Sequence, residues 1–395
     1  MERELRTITH IDLDAFFVSV SRLENPKLHN QPVLVGGGDR GVVAACSYEA
    51  RAFGVHSAMP MKMALRLCPE AVVIRGDYER YSYYSDVITD IIRESVPAYE
   101  KASIDEFYLD LTGMDRFFGC YKWAKELREK IIRETHLPIS FGLSANKTVS
   151  KIATGEAKPN NHKRVEYGVE KDFLAPLSVS KIPMVGDKTY HLLRGMGIEK
   201  IQTLQQMPPE LLVRALGENG HVIWKKANGI DDSPVVQYNE RKSISTEETF
   251  QKDTIDIHQL KNILTGMTEK LGFQLRQQNK LTACVTVKLR YSNFDTHTVQ
   301  SKIPYTSADH LLIACAKELF DKLYQRRMLV RLMGIRFSHL VGGGQQINLF
   351  EDSEEMTRLY SAMDLLRKRY GASAIQRAAS ISYERGKNSG KKNNN

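Results

Sequence analysis

Cysteine is scarce in this 395-residue chain: Cys46, Cys68, Cys120, Cys284 and Cys315 are scattered, with no C-x-x-C pair, which argues against a zinc site or a disulfide framework. Long apolar runs are missing as well. No uninterrupted stretch is long enough to cross a bilayer, and the start, MERELRTITHIDLDAF, lacks the apolar core of a signal peptide. These absences predict a soluble, cytoplasmic protein with no membrane contact. Length is what the chain has in excess: 395 residues are too many for one core of usual size, so about two to four domains are expected, enough for an enzyme.

The formal charge of +9 is unevenly spread. Residues 1–240 carry 31 Lys and Arg against 32 Asp and Glu, residues 241–350 carry 16 against 9, and residues 351–395 carry 9 against 6. A near-neutral body followed by a basic module reads as a catalytic unit beside an electrostatic grip for a polyanion. A basic domain that is merely soluble would look the same, and charge alone leaves both readings open.

Along the chain, TITHIDLD (residues 7–14) predicts a strand, and AFFVSVSRLENP a helix closed by Pro26. PVLVGG and GVVAACS predict short strands around a Gly-rich turn, and YEARAFGV starts a helix capped by Ser47. A long amphipathic helix over 78–96, the strand carrying Asp105 and Glu106, a helix over 120–135 and the strand LPISFGLSA follow. This order predicts an α+β unit with helices on one face of a sheet. From about residue 167 the pattern turns helical and short-looped, and DDSPVVQYNERKSIS is a predicted linker. Beyond it, the strands LTACVTVKLRYS, HTVQSKIPY and LVRLMGIRFSHL, with helices over 256–275 and 307–324, predict a second α+β domain, the basic one. After Gly342 to Gly344, the spacing of Met356, Leu359, Tyr360, Met363, Leu366 and Tyr370 predicts one amphipathic helix ending before Gly371, and GKNSGKKNNN is expected to be disordered.

The chemistry-bearing residues are acidic. Asp12 and Asp14 are two apart in a strand and should share a face, where they repel unless a cation sits between them. Asp105 and Glu106 lie inside an apolar run, and as neighbours in a regular strand they would point to opposite faces, so bringing them together needs a turn or bulge. A lone D-x-D is more often a solvated strand end. Together with the buried D-E pair, the balance tilts to hard oxygen ligands for Mg²⁺, whose shell is completed by water and substrate phosphates.

IDLDAFFVSV, VVAACSYEARAFGVHSAMP, ASIDEFYLDLT, SFGLSANKTVSKIAT and AKPN, in this order and spacing, resemble the Y-family translesion DNA polymerases of the bacterial DNA polymerase IV type, over residues 7 to about 350. The resemblance implies an α+β multidomain fold: a right-hand polymerase with a ferredoxin-like palm, small fingers and a helical thumb, plus an α+β little-finger domain that grips DNA. In this sequence the palm would be 1–14 and 78–166, the fingers 15–77, the thumb 167–233, a linker 234–242, the little finger 243–341, a tether and clamp-binding motif 342–350, and a C-terminal helix with a disordered tail 351–395.

The same resemblance implies roles. Asp12, Asp105 and Glu106, with the Leu13 backbone carbonyl, would hold a pair of Mg²⁺ ions, with Mn²⁺ able to substitute; Asp14 is not a principal ligand in the family. Phe17 would be the steric gate against a ribose 2′-hydroxyl. Tyr48 and Arg51, three apart at a helix start, and Lys158 before Pro159 would bind the triphosphate. Many members have a threonine where Ala45 stands, so a hydroxyl contact to phosphate is absent or supplied by Ser47. Ala44 and Ala58 would roof the nascent base pair with little bulk, which implies low fidelity and lesion bypass. IPMVGDKT resembles a helix-hairpin-helix with Met184 in place of the usual first glycine, and an ordinary helical turn fits it too. QINLF resembles a sliding-clamp peptide, with Gln346, Leu349 and Phe350 as its contacts after the glycine tether.

The expected partners are primer-template DNA, a deoxynucleoside triphosphate and the sliding clamp, and a monomer is expected. No exonuclease domain remains once residues 1–350 are assigned, so no proofreading is expected. A nucleotide cyclase on a similar palm would share the acids but would need neither Phe17, a thumb nor a basic module, and a silent DNA-binding scaffold would not need Asp12, Asp105 and Glu106.

Overall fold

ITHIDL forms β1 (Ile8–Leu13), buried at every position because it is the middle strand of five. The computed structural model describes residues 5–38, 40–114, 119–237, 240–325, 327–343, 353–371 and 374–378. The chain divides into two units, Met1–Asn239 and Glu240–Asn395.

In the first unit, β1 leads to α1 (Phe16–Glu24), β2 (Val33–Gly36), β3 (Val43–Cys46), α2 (Tyr48–Ala52), α3 (Met61–Leu67), β4 (Val72–Ile74) and α4 (Tyr78–Ser95). Then come β5 (Ala98–Lys101), β6 (Glu106–Asp110), α5 (Cys120–Thr135), β7 (Ile139–Ser144), α6 (Lys147–Ala157) and β8 (His162–Arg164). The main sheet runs β5-β6-β1-β7-β8, antiparallel except where β8 joins β7, and a small sheet runs β3-β2-β4.

The period of two along β1 divides its side chains between two cores. Ile11 and Leu13 pack with Phe107, Phe141 and residues of α4 and α5 such as Ile88, Ile92, Leu127 and Ile131. His10 points the other way, with Nδ1 2.9 Å from Thr154 Oγ1 on α6. Helices therefore cover both faces of the sheet, which corrects the expectation of one covered face. The approach of α6 depends on Gly142: a Cβ there would lie 2.2 Å from the Ser150 carbonyl oxygen and 2.5 Å from the Thr154 nitrogen. On its far side α6 gives Val149, Ile152 and Ala153 to a third core with Leu174, Leu193, Ile201, Leu212 and Ile223, from the helices α7 (Glu170–Leu174), α8 (Asp187–Gly195), α9 (Ile201–Gln206), α10 (Pro209–Leu216) and α11 (Glu218–Ala227).

The second unit comprises β9 (Ser243–Thr254), α12 (Ile257–Gln277), β10 (Lys280–Tyr291), β11 (Thr296–Thr306), α13 (Asp309–Leu323), β12 (Val330–Gly342) and α14 (Ser353–Tyr370). Its antiparallel sheet runs β11-β10-β12-β9, and α12 and α13 cover one face through Leu264, Leu271 and Phe320 against Val285, Val287, Ile335 and Phe337. β9 was not expected from sequence: only Ile244 and Phe250 are buried along its twelve residues.

α14 forms where its periodicity predicts, but the apolar stripe is only partly covered. Tyr360 is buried, whereas Leu359, Leu366 and Tyr370 are 49%, 42% and 64% exposed. Ionic contacts complete the anchor. Arg276 places Nη1 2.6 Å from Asp309 Oδ1 and Nε 2.7 Å from Asp364 Oδ2, with its guanidinium stacked 4.9 Å from the centroid of Tyr360. Gly272 admits Asp309, whose Oδ1 would lie 2.2 Å from any Cβ added there. Gln346, Leu349 and Phe350 and the predicted disordered tail lie outside the described residues.

Asp309 is fully buried, so removing its partner leaves a carboxylate with little water to solvate it. Arg276→Ala is expected to destabilise the second unit by about 3–5 kcal/mol, read by urea unfolding. The paired replacement Arg276→Met with Asp309→Leu should cost much less, and equal losses would refute the charge-burial account.

Candidate active site

Antiparallel pairing of β1 with β6 sets Asp12 opposite Glu106, with Ser140 of β7 opposite Asp12 on the other side. All three share the face covered by α6. Asp105 lies in a bend just before β6, held by Ser103: its hydroxyl donates to Asp105 Oδ1 at 2.5 Å and accepts from the Glu106 nitrogen at 3.0 Å. The expected turn between the neighbouring acids is thus a serine-capped bend, and the Leu13 nitrogen donates to the Asp105 carbonyl at 3.1 Å, tying it to the end of β1.

Lysines meet these acids. Lys151 Nζ lies 2.6 Å from Glu106 Oε2, Lys158 contacts Asp12 Oδ1, and Lys147 Nζ lies 2.7 Å from Glu100 Oε2. His10, buried beneath Glu106, has Nε2 4.0 Å from Oε2; burial first, then the three lysines, hold its pKa well below 6.5. Burial pushes the Asp12 carboxyl up to about 7 against the pull of Lys158, with repulsion from Glu106 and Asp105 adding to the rise.

Among the described residues, no three acid, histidine or cysteine side chains are gathered into a ready-made metal cage. The donor set nevertheless fits a hard divalent cation. Each carboxylate commits one oxygen to its hydrogen bond, Oε2 of Glu106, Oδ1 of Asp12 and Oδ1 of Asp105, and the second oxygens make none among the described residues. The high Asp12 pKa is chiefly the cost of burying a charged carboxylate, a cost that a bound cation would offset.

Asp14 has a different task. Its carboxylate, 1% exposed, accepts from Tyr48 Oη at 3.1 Å, Ser140 Oγ at 2.7 Å and the Asn160 nitrogen at 2.7 Å. It also shares a cation with Asp12, as its spacing predicts: Lys158 contacts Asp12 Oδ1 and has Nζ 3.9 Å from Asp14 Oδ1, while the three donors tie other segments to the end of β1. The expectation for Ser47 is corrected. Its buried hydroxyl accepts from the nitrogens of Val33 at 3.0 Å and Ala50 at 3.3 Å, so it is not free to replace the threonine hydroxyl that Ala45 lacks.

The remaining residues belong to the same unit. Phe17, half-buried on α1, stacks on Tyr81 at 4.2 Å and 14°, with Tyr78 edge-on at 5.8 Å. The exposed Arg51 guanidinium lies 4.6 Å above the Tyr48 ring. Ala44 and Ala58 are both exposed, and the Ala58 nitrogen donates to the Val43 carbonyl at 2.8 Å, bringing the two small residues together. Before α8, Met184 adopts a left-handed φ of 83° and is 58% exposed, so the turn has the backbone a glycine would give it. Lys147 and Lys151 were missed from sequence, although with Lys158 they stand at i, i+4 and i+11, a one-sided helical spacing.

The chain is similar to known proteins along most of its length. The model of the impB/mucB/samB family matches residues 11–155, and that of the impB/mucB/samB family C-terminal domain matches residues 241–349. A DNA polymerase IV of Dehalococcoides mccartyi is 37% identical over 377 residues, covering 94% of this chain and 97% of that protein. A DNA polymerase IV of Streptococcus pneumoniae is 39% identical over 339 residues, covering 84% and 96%. A solved Y-family DNA polymerase chimera of Dbh and Dpo4 superposes with a TM-score of 0.76 at 24% identity, covering 85% of this chain and all of that one, a likeness of fold.

Two measurements check the electrostatic account. Asp14→Ala, which strands three donors, should lower unfolding free energy by about 1–3 kcal/mol. Asp12 is shifted upward from 3.8 to about 7, so between those values the folded state holds a proton that the unfolded state has released. Stability of the chelator-treated protein should therefore fall as pH rises through that window, and Asp12→Asn should flatten the fall.

Proposed function

This chain belongs to the impB/mucB/samB family, the DNA polymerase IV type of Y-family polymerase, and from that premise we propose a template-directed DNA polymerase that extends a primer 3′ end and copies past damaged bases without proofreading. The observation that carries the site assignment is the facing pair Asp12 and Glu106, with Asp105 at the adjoining bend.

Asp12, Asp105, Glu106 and the Leu13 carbonyl hold the divalent metal, as a pair of Mg²⁺ ions or Mn²⁺ in their place. When bound, these ions supply an acidified primer hydroxyl and charge neutralisation on the triphosphate and the departing pyrophosphate. The protein's own part is placement. Ser103 fixes Asp105, and Arg51 and Lys158 offer cations to the phosphates. Tyr48, whose hydroxyl is committed to Asp14, serves the triphosphate through its ring, as the platform on which Arg51 rests.

Phe17 forms a flat wall stiffened by Tyr81 behind it, which excludes a ribose 2′-hydroxyl. The small Ala44 and Ala58 leave the nascent pair loosely checked. Residues 1–14 and 78–166 act as palm, 15–77 as fingers, 167–233 as thumb and 243–341 as little finger. QINLF, through Gln346, Leu349 and Phe350, docks a monomeric enzyme on the sliding clamp in the cytoplasm.

Primer extension with Mg²⁺ tests the reading. Asp105→Ala should reduce incorporation by on the order of a thousandfold, and full activity in that variant would refute the assignment. Phe17→Ala should retain deoxynucleotide addition while losing discrimination against ribonucleotides by on the order of a hundredfold. Leu349→Ala with Phe350→Ala should abolish stimulation by the clamp without changing clamp-free extension.

A further inference from the structure

Three lysines leave one side of α6 and its end, and each terminates on a carboxylate of the sheet: Lys147 on Glu100, Lys151 on Glu106 and Lys158 on Asp12. Two of these carboxylates, Asp12 and Glu106, are partners across β1 and β6 and belong to the metal-binding set assigned above. The polymerase reading gives Lys158 a triphosphate to hold and leaves the cation of Lys151 unexplained.

Lys151 is not a loose surface lysine. Its ammonium group, on a side chain 33% exposed, sits 2.6 Å from a Glu106 side chain only 24% exposed. Its helix cannot drift, being wedged between Gly142 and the core of α7 to α11. The groups facing Glu106 are Lys151, Asp12 and His10. The imidazole of His10, at 4.0 Å, has no charge to lend, since burial keeps it neutral.

We propose that Lys151 and Lys158 are resident counter-ions of the metal-free site, neutralising Glu106 and Asp12 until those carboxylates exchange an ammonium partner for a divalent cation. The inference rests on the assignment of Asp12, Asp105 and Glu106 as metal ligands. Carboxylates crowded in a half-buried cleft repel one another, and an ammonium group on each relieves that repulsion. Affinity for a cation is then set by an exchange, and it is weak while nucleotide is absent. Exchange at Asp12 also frees Lys158, so the cation that leaves the carboxylate becomes available to a triphosphate. Cation and nucleotide thereby favour each other's entry through one side chain.

Equilibrium binding of Mn²⁺ to the full chain without nucleotide or DNA, followed by loss of the free-ion electron paramagnetic resonance signal, tests the exchange. Lys151→Met should bind Mn²⁺ about tenfold more tightly than wild type, as expected for one opposing charge removed next to the site. Lys151→Arg should match wild type. The melting temperature of Lys151→Met should fall in chelator and recover with Mn²⁺ by more than wild type gains. Equal or weaker Mn²⁺ binding by Lys151→Met, with binding abolished in Asp12→Asn, overturns the exchange and leaves the metal site standing. Undiminished Mn²⁺ binding in Asp12→Asn overturns the metal assignment itself.

Discussion

The closeness of α6 to the sheet is the constraint on which the site depends. With no Cβ at Gly142, the backbone of Ser150 and Thr154 comes against β7. That contact sets how far the lysines of α6 reach: a helix displaced outward by a side chain's width would carry Lys151 and Lys158 away from Glu106 and Asp12. The same approach buries His10 against Thr154, whose hydroxyl also donates to the Ser150 carbonyl at 2.9 Å. An all-apolar contact between helix and sheet would pack as well, but it would leave the acids facing a surface with no charge to offset them.

Asp14 does for the edge of the site what α6 does for its floor. One carboxylate gathers Tyr48 at the start of α2, Ser140 on β7 and the Asn160 nitrogen two residues beyond Lys158. Arg51 rests on the ring of that Tyr48, so the same carboxylate sets the position of one cation through a ring and of the other through the chain. A buried carboxylate with three donors is rigid, and the start of α2 and the turn at Asn160 share that rigidity.

Much of this was legible in the amino-acid order, and the failures have physical causes. Alternation in ITHIDL identifies β1, and Ile11 and Leu13 do face a core while Asp12 faces away. Adjacency of Asp105 and Glu106 in an apolar run demanded a bend, and Ser103 supplies it. What escaped is α6: its sequence, KTVSKIATGEA, is packed between sheet and helices through small or polar Thr148, Ser150, Ala153 and Thr154, so no broad apolar stripe announces it. β9 escaped because a strand with two buried side chains in twelve has almost no alternation to read.

The C-terminal helix carries the same point to the second unit. Its apolar spacing is genuine, yet the protein buries Arg367 there, 4% exposed, and leaves Leu366 at 42%. Arg276 draws Asp364 onto Tyr360 and Asp309, and this ionic seam rotates the helix so that its charged edge is buried with part of its apolar one. Positive charge in this unit is consequently of two kinds. Arg276 is committed inside, neutralised on both sides, and contributes nothing to a long-range field. Arg290 on β10 and Arg336 on β12 lie at strand positions alternating with the buried Leu289 and Ile335, hence on the sheet face that α12 and α13 leave uncovered, where Lys288 is paired with Glu247 at 2.9 Å. A cation on an open, pleated surface can meet phosphates at a regular spacing without reading bases, the requirement for a polymerase that must hold any template. The seam under α14 keeps that helix against α12 and α13, so the strand cations opposite them stay on a face with no helix above it.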